Sequence, residues 1–134
     1  MTKSEIGTVI LRVVLGLTFF IHGLDKFQGG IENTVGYFDF LGIPGFLAYA
    51  VALIELIGGL AMILGIGTKI VAVLFIVIML GGIFIAKLSA GFLGDGQGAG
   101  YELDLLLLAI SIYMILAESN QLSLDNLIKN KRNA

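Results

Sequence analysis

Two ionisable side chains lie inside apolar runs, and they are the residues of this sequence best placed to do chemistry. Arg12 lies six residues inside an apolar run that starts near Ile6, and Glu55 has apolar neighbours on both sides. A charge in such surroundings costs several kcal/mol unless it is paired or solvated. On helices that rise about 1.5 Å per residue, Arg12 lies about 9 Å inside its run, within reach of a carboxylate about one and a half turns farther along. We therefore predict an Arg12–Glu55 ion pair.

This predicted pair has two interpretations, which the sequence leaves open. In some proteins a buried Arg–Glu pair only decides which helices touch. Alternatively, Glu55 gives a proton to a bound ligand or takes one from it, as a general acid or base does. Full activity in a folded, membrane-inserted Glu55→Gln variant would rule out the second interpretation.

A second group of polar residues lies at the ends of the apolar runs. His22 and Lys26 are four residues apart and share a helix face, and Asp25 lies three residues from His22. Glu102 is expected at a depth similar to that of His22. We predict that these side chains, with Glu55, form a polar ligand pocket. The complete group consists of His22, Asp25, Lys26, Lys87, Glu102 and Asp104.

The residue types at this end argue against a metal centre. A lone histidine is more often hydrogen-bonded than a ligand, and haem between helices usually requires a second strong axial ligand. Glu102 and Asp104 are two residues apart and do not face the same way on a helix. The chain has no cysteine, which excludes thiolate-bound metals and iron–sulfur clusters. We predict no metal, so a redox role requires a bound molecule such as a quinone.

The composition is that of an integral membrane protein. Apolar residues make up 57% of the 134 residues and charged residues 13%, whereas a soluble domain is roughly one quarter charged. A net charge of −2, with no basic patch among aromatics, excludes a nucleic-acid partner. Four runs are each close to the roughly 20 residues that cross a bilayer as a helix. They cover residues 6–27, 46–66, 69–88 and 101–117.

These runs predict an all-α fold, in which residues 1–134 form one bundle of four transmembrane helices in the cell membrane. Lysine and arginine outside the spans favour the side that holds both termini, which we therefore place in the cytoplasm. That side has Lys3, Lys69, Lys129, Lys131 and Arg132, against Lys26 and Lys87 on the other.

The segments between the runs differ in character. Residues 28–45 have apolar side chains at roughly helical spacing, which predicts a short amphipathic helix, or else a hydrophobic loop folded over the end of the bundle. Residues 91–100 contain five glycines and predict a mobile loop that acts as a lid. After the fourth run, apolar and polar residues mix in an interfacial tail, with Ser123 as a helix cap.

Several short motifs, in this order and spread over nearly the whole chain, resemble those of the DoxX family. They lie at residues 11–27 (with FIHGLDKF), 42–44 (GIP), 55–59 (ELIGG), 67–69 (GTK), 101–104 (YELD) and 123–125 (SLD). Within the family the chain is most similar to the CatD-like branch, which is associated with catechol dioxygenases and with quinone or catechol stress. The resemblance implies a four-helix membrane protein linked to redox processes. Its polar site residues would correspond to Arg12, His22, Lys26, Glu55 and Glu102. Lys69 stands where many relatives have arginine.

Three functions compete at this point. The first is a redox-linked protein that binds a quinone or catechol-type aromatic between His22, Glu55 and Glu102, since such a ligand needs hydrogen bonds at its head and apolar walls around its ring. The second is a non-enzymatic subunit that anchors an oxidoreductase or dioxygenase through its basic tail and Lys69; a homo-oligomer that purifies without such a partner would count against it. The third is a small transporter, although the chain lacks the internal repeat of larger carriers.

Overall fold

The computed structural model describes residues 1–117 and 122–133, and this part of the chain is helical. Its single β-bridge joins Gly94 to Ala99 within a loop. The α-helices are α1 (Lys3–Gln28), α2 (Ile31–Phe40), α3 (Leu47–Leu64), α4 (Thr68–Gly81), α5 (Glu102–Leu116) and α6 (Leu124–Asn133). A π-helical turn, Gly82–Lys87, and a 3-10 turn, Leu88–Ala90, follow α4 directly. Together with α4 they form one helical segment, Thr68–Ala90. The predicted all-α class is confirmed.

Three helical segments of the described chain are long and apolar enough to cross a membrane: Lys3–Gln28, Leu47–Leu64 and Thr68–Ala90. About two thirds of the residues in each of these windows are not buried by protein, so their apolar side chains are left for lipid to cover. Helix α5 has 15 residues, which at about 1.5 Å per residue gives about 22 Å, less than a hydrocarbon layer of about 30 Å. The predicted fourth span is therefore shorter than the other three.

Small residues bring α1 and α3 into backbone contact. A Cβ on Gly16 would lie 2.6 Å from the Gly59 carbonyl oxygen, and one on Gly23 would lie 2.9 Å from the Leu56 Cα and 3.0 Å from the Ala52 carbonyl oxygen. Small residues at helix crossings permit this close packing in membranes. Gly16, Gly23 and Gly59 are therefore the points of closest approach between α1 and α3.

The hydrophobic core is built on two stacked rings, one from α1 and one from α4. Phe19 and Phe75 lie parallel, with ring centroids 3.7 Å apart, and both are buried. Gly58 makes room for this arrangement, because a Cβ there would lie 3.0 Å from the Phe75 ring and 3.3 Å from Val71. Leu15, Met62, Ala72 and Met114 complete the core around the rings.

One end of the bundle, here called the terminal end, holds the start of α1, the α3–α4 turn and α6. The Asp125 carboxylate accepts hydrogen bonds from the backbone N–H groups of Gly67 (3.0 Å) and Thr68 (3.4 Å), and the Asp125 N–H donates to the Gly65 carbonyl at 3.0 Å. The Ser123 hydroxyl caps α6 by accepting a hydrogen bond from the Asn126 N–H at 3.0 Å. The predicted cap is confirmed, and α6 is docked on the α3–α4 turn.

The opposite end, here called the distal end, holds α2 and the glycine-rich loop. The predicted short helix in residues 28–45 is confirmed as α2. In the loop, the Asp95 carboxylate accepts hydrogen bonds from the N–H groups of Gly98 (2.8 Å) and Gln97 (3.0 Å), which lower the pKa of Asp95 below its usual value. Phe92 and Tyr101 meet edge to face, with centroids 5.8 Å apart. The loop is thus a compact turn with its own internal contacts.

Candidate functional site

A cavity of about 550 Å³ lies at the distal end, between α1, α2, α3, the α4–π segment and α5. Its volume falls within the roughly 300–1,000 Å³ of typical small-molecule sites. Most of the lining side chains are aliphatic or aromatic, with Phe19 of the stacked pair among them. The polar or charged lining residues are His22, Lys26, Thr34, Tyr37, Glu55, Lys87 and Asp104.

The first charged feature of the cavity is an ion pair between α1 and α3. The Lys26 Nζ lies 2.6 Å from the Glu55 Oε1, and the side chains are 24% and 5% exposed. An ammonium group this close to a carboxylate is its donor, and Oε1 has no other hydrogen-bond partner among the described residues. The glycine contacts between α1 and α3 place Gly23 beside Leu56, which brings the next turn of α1 level with Glu55. The carboxylate is therefore ionically paired and still able to accept a hydrogen bond.

The second charged feature is an ion pair between the π-helical turn and α5. The Lys87 Nζ donates a hydrogen bond to the Asp104 Oδ1 at 3.1 Å. Asp104 is buried in the first turn of α5, where the helix dipole favours a negative charge. A Cβ on Gly82 would lie 3.1 Å from the Asp104 Oδ2, so the glycine that opens the π-turn leaves room for the carboxylate. π-turns inside α-helices are frequent at functional sites.

Helix α2 forms one wall of the cavity. Its lining residues are Thr34, Tyr37 and Phe38, together with Leu41 at its C-cap, a spacing that puts them on one helical face. Thr34 and Tyr37 were not among the predicted site residues, because the helical pattern of this segment was recognised from its apolar side chains alone. The signal that could have identified them as lining residues is their i, i+3 spacing on the predicted amphipathic helix. No residue of the loop 91–100 lines the cavity, so the lid predicted there is wrong and α2 occupies that place.

The predicted site residues separate into two groups. His22, Lys26 and Glu55 line the cavity together, as do Lys87 and Asp104 of the wider predicted group. Asp25 and Glu102 are exposed and do not line it. Glu102 points away because it lies two residues from the buried Asp104, and residues two apart on a helix face different directions.

Arg12 lies at the terminal end, and the predicted Arg12–Glu55 pair is wrong. Its guanidinium Nη2 donates a hydrogen bond to the Leu122 carbonyl at 2.7 Å, and its Cζ lies 3.4 Å from where a Cβ on Gly65 would be. Glu55 is ten residues from Gly65 along α3, a separation of about 15 Å. The antiparallel register of α1 and α3 therefore places Lys26, and not Arg12, next to Glu55. Arg12 holds the segment that leads into α6.

The arrangement combines donors, acceptors and apolar walls in one cavity. The Lys26 and Lys87 ammonium groups are hydrogen-bond donors, and the Glu55 and Asp104 carboxylates are acceptors. The His22 imidazole adds a group that can donate or accept a hydrogen bond. Within residues 1–117 and 122–133, no three histidine, aspartate or glutamate side chains are grouped closely enough to hold a metal ion. The site is thus suited to a small ligand with a polar, oxygen-bearing head and an apolar body.

The sequence matches a known protein family and is similar to a relative over nearly its full length. The model of the DoxX family matches residues 7–88, which include Lys26, Glu55 and Lys87. The chain is 47% identical over 135 residues to "Putative oxidoreductase CatD" of Bacillus subtilis, covering 99% of this chain and 96% of that protein.

Two further relatives are membrane proteins by name. An uncharacterized membrane protein of Mycobacterium tuberculosis is 29% identical over 96% of this chain and 85% of its own length. The inner membrane protein YqjF of Escherichia coli is 32% identical over 52% of each chain. No solved structure matches. With its apolar helices and its nearly full-length similarity to CatD, this chain is a multi-pass membrane protein that belongs to the DoxX family.

Proposed function

We propose that this protein binds a quinone or catechol-type aromatic in the distal cavity and serves a redox-linked process in the membrane, within the response to quinone or catechol stress. The observation that carries the proposal is that one cavity contains two lysine–carboxylate pairs, Lys26–Glu55 and Lys87–Asp104, within largely apolar walls. The name of the Bacillus relative, which refers to oxidoreductase chemistry, supports it.

The chemistry of such a ligand fits the groups of the cavity. Quinone carbonyl oxygens accept hydrogen bonds, which ammonium groups such as those of Lys26 and Lys87 donate. Catechol and quinol hydroxyls donate hydrogen bonds, and the Glu55 carboxylate has lone pairs left to accept them beside its contact with Lys26. Tyr37, Phe38 and the aliphatic walls pack against the ring. Both oxidation states of the ligand therefore find complementary partners.

In this proposal Glu55 also exchanges protons with the ligand. Reduction of a quinone to a quinol takes up protons as well as electrons, and a carboxylate beside an ammonium group can transfer them within hydrogen-bond distance. The chain has no cysteine for thiol redox chemistry, so a partner oxidoreductase or dioxygenase would supply or receive the electrons. The exposed basic residues of α6, Lys129, Lys131 and Arg132, give the terminal end a surface for that partner.

The test of this proposal is ligand binding by the variant Glu55→Gln. Loss of a hydrogen bond to a charged group costs about 1.5–3 kcal/mol, so the dissociation constant for a catechol or quinone should rise roughly tenfold to a hundredfold. The matched control is Glu102→Gln, since Glu102 is exposed and outside the cavity. Titration of both purified variants in nanodiscs, followed by absorbance or calorimetry, gives the comparison.

Two results would contradict the proposal. Equal effects of Glu55→Gln and Glu102→Gln would show that the cavity is not the binding site. If the wild-type protein binds neither a quinone nor a catechol, the anchoring function is favoured, and co-purification of a soluble oxidoreductase or dioxygenase from native membranes tests it. Flux of an aromatic into proteoliposomes above background would favour the transporter.

We also propose that α5 is a fourth span and that both termini lie in the cytoplasm. Near its end, the Tyr113 hydroxyl is 2.7 Å from that of Thr8 at the terminal end, and near its start Asp104 meets Lys87 at the distal end. Helix α5 therefore connects the same two ends of the bundle as its neighbours, although it is short.

The native chain has no cysteine, so single-cysteine labelling tests this topology directly. We expect Gln97→Cys to react with a membrane-impermeant maleimide in intact cells, and Lys131→Cys to react only after the cells are opened. Both positions are exposed in the structure. Labelling of both from the same side would mean that α5 does not cross the membrane.

A further inference from the structure

We infer that the distal cavity opens sideways into the bilayer between α3 and α4, so that its ligand enters from the hydrocarbon layer and carries an apolar tail. This inference rests on the proposed function, because it names the class of ligand that the same cavity binds. It specifies a membrane-dissolved amphiphile with an aromatic, oxygen-bearing head and an alkyl or isoprenoid chain.

The first observation is where α3 and α4 are in contact. Because Gly58 has no side chain, Phe75 and Val71 of α4 approach α3 closely there. This contact lies in the half of the α3–α4 hairpin nearest its tight turn. Farther toward the distal end, residues of both helices line the cavity, among them Val51 and Ile54 on α3 and Val77, Ile78 and Gly81 on α4. The cavity therefore occupies the space between the distal halves of these two helices.

The second observation is that several lining residues also belong to the outer surface. Val77 is 63% exposed, Ile85 is 54% exposed and Leu74 is 39% exposed, yet all three line the cavity. Such large exposed fractions mean that protein does not enclose these lining side chains, as expected at the rim of an opening. These rim residues are aliphatic, which suits contact with lipid and not with water.

The third observation is the depth of this rim. Val77 lies nine residues after the start of α4 at Thr68, which is about 14 Å along a helix and close to the middle of a hydrocarbon layer of about 30 Å. The Lys26–Glu55 pair lies at a similar depth, because Glu55 is about 15 Å from the same turn along α3, while the Lys87–Asp104 pair lies nearer the distal end. A ligand whose head reaches Lys26 and Glu55 would thus extend its tail past Val77 into the bilayer.

The test compares a decyl-substituted benzoquinone with the same ring lacking the decyl chain. The variant Val77→Trp fills the proposed opening, and Val73→Trp is its matched control, because Val73 is an exposed valine one turn away that does not line the cavity. We expect the wild-type protein to bind the decyl compound more tightly. We expect Val77→Trp to weaken that binding about tenfold while leaving the tail-less ring unchanged, and Val73→Trp to alter neither.

Other outcomes would overturn the inference. If the wild-type protein binds both compounds equally, or if Val77→Trp weakens both or neither, the tail does not pass between α3 and α4, while the proposed function stands. If the wild-type protein binds neither compound, the proposed function fails and the lateral opening fails with it. Binding measurements in nanodiscs with all three proteins distinguish these cases.

Discussion

Lys26→Met should lower the free energy of unfolding by about 3 kcal/mol, because removal of one member of a buried ion pair leaves the other without its counter-charge. The partner left behind is Glu55, whose side chain is only 5% exposed. Adding Glu55→Leu to this variant should restore most of the lost stability, since it removes the unpaired group. The measurement is a denaturant unfolding curve of each purified variant in the same detergent.

The same double variant separates stability from function. If Lys26 and Glu55 bind the ligand, the double variant should fold and still fail to bind a quinone or catechol. Lys69→Met is the control for a lysine change, because Lys69 is exposed at the terminal end and does not line the distal cavity. A stable Lys26→Met variant would show that Glu55 does not depend on this ammonium group, and ligand binding by the double variant would show that the pair is only structural.

Gly59→Val should destabilise the bundle by at least about 1–3 kcal/mol, the usual cost of forcing extra atoms into a packed interior. A Cβ at this position would lie 2.7 Å from the Gly16 carbonyl oxygen and 2.7 Å from the Phe20 Cα. These are backbone atoms, so no side chain can move aside and α1 must separate from α3. Because the separation also displaces Lys26 from Glu55, ligand affinity should fall together with stability.

The matched control for stability is Gly81→Val, at the last residue of α4; because Gly81 lines the cavity, this control applies to unfolding and not to ligand affinity. A Cβ on Gly81 has no neighbour within 4 Å, so only the modest difference in helix propensity between glycine and valine applies there. Unfolding curves of the two variants give the comparison. Equal stability of Gly59→Val and Gly81→Val would contradict the close α1–α3 contact on which the position of the site depends.

The membrane class and the main helices follow from the sequence because they depend on local properties. A run of apolar residues long enough to cross the bilayer must form a helix, since every backbone polar group needs a partner inside the lipid. The short helix α2 and the Ser123 cap likewise depend on near neighbours. Membership of His22, Lys26 and Glu55 in one site was predictable from ionisable groups at depth.

The partners of those charges were not predictable, because they depend on how two helices align. Counting residues along each run predicted that Arg12 and Glu55 lie close enough to pair. In the structure, the contacts of Gly16 and Gly23 with α3 set a register that leaves Arg12 and Glu55 about 15 Å apart. A shift of a few residues between antiparallel helices changes the partner of each charged side chain between them. The residue pattern within one helix does not determine how far its neighbour is shifted.

What the sequence by itself determined is thus a helical membrane protein of the DoxX family with charged groups inside it. Only the tertiary structure decided that Lys26 pairs with Glu55 and Lys87 with Asp104, that Glu102 lies outside the cavity, and that α2 forms its wall. The physical reason is that hydrophobic runs and caps are local, whereas a cavity exists only where several helices pack and leave space between them.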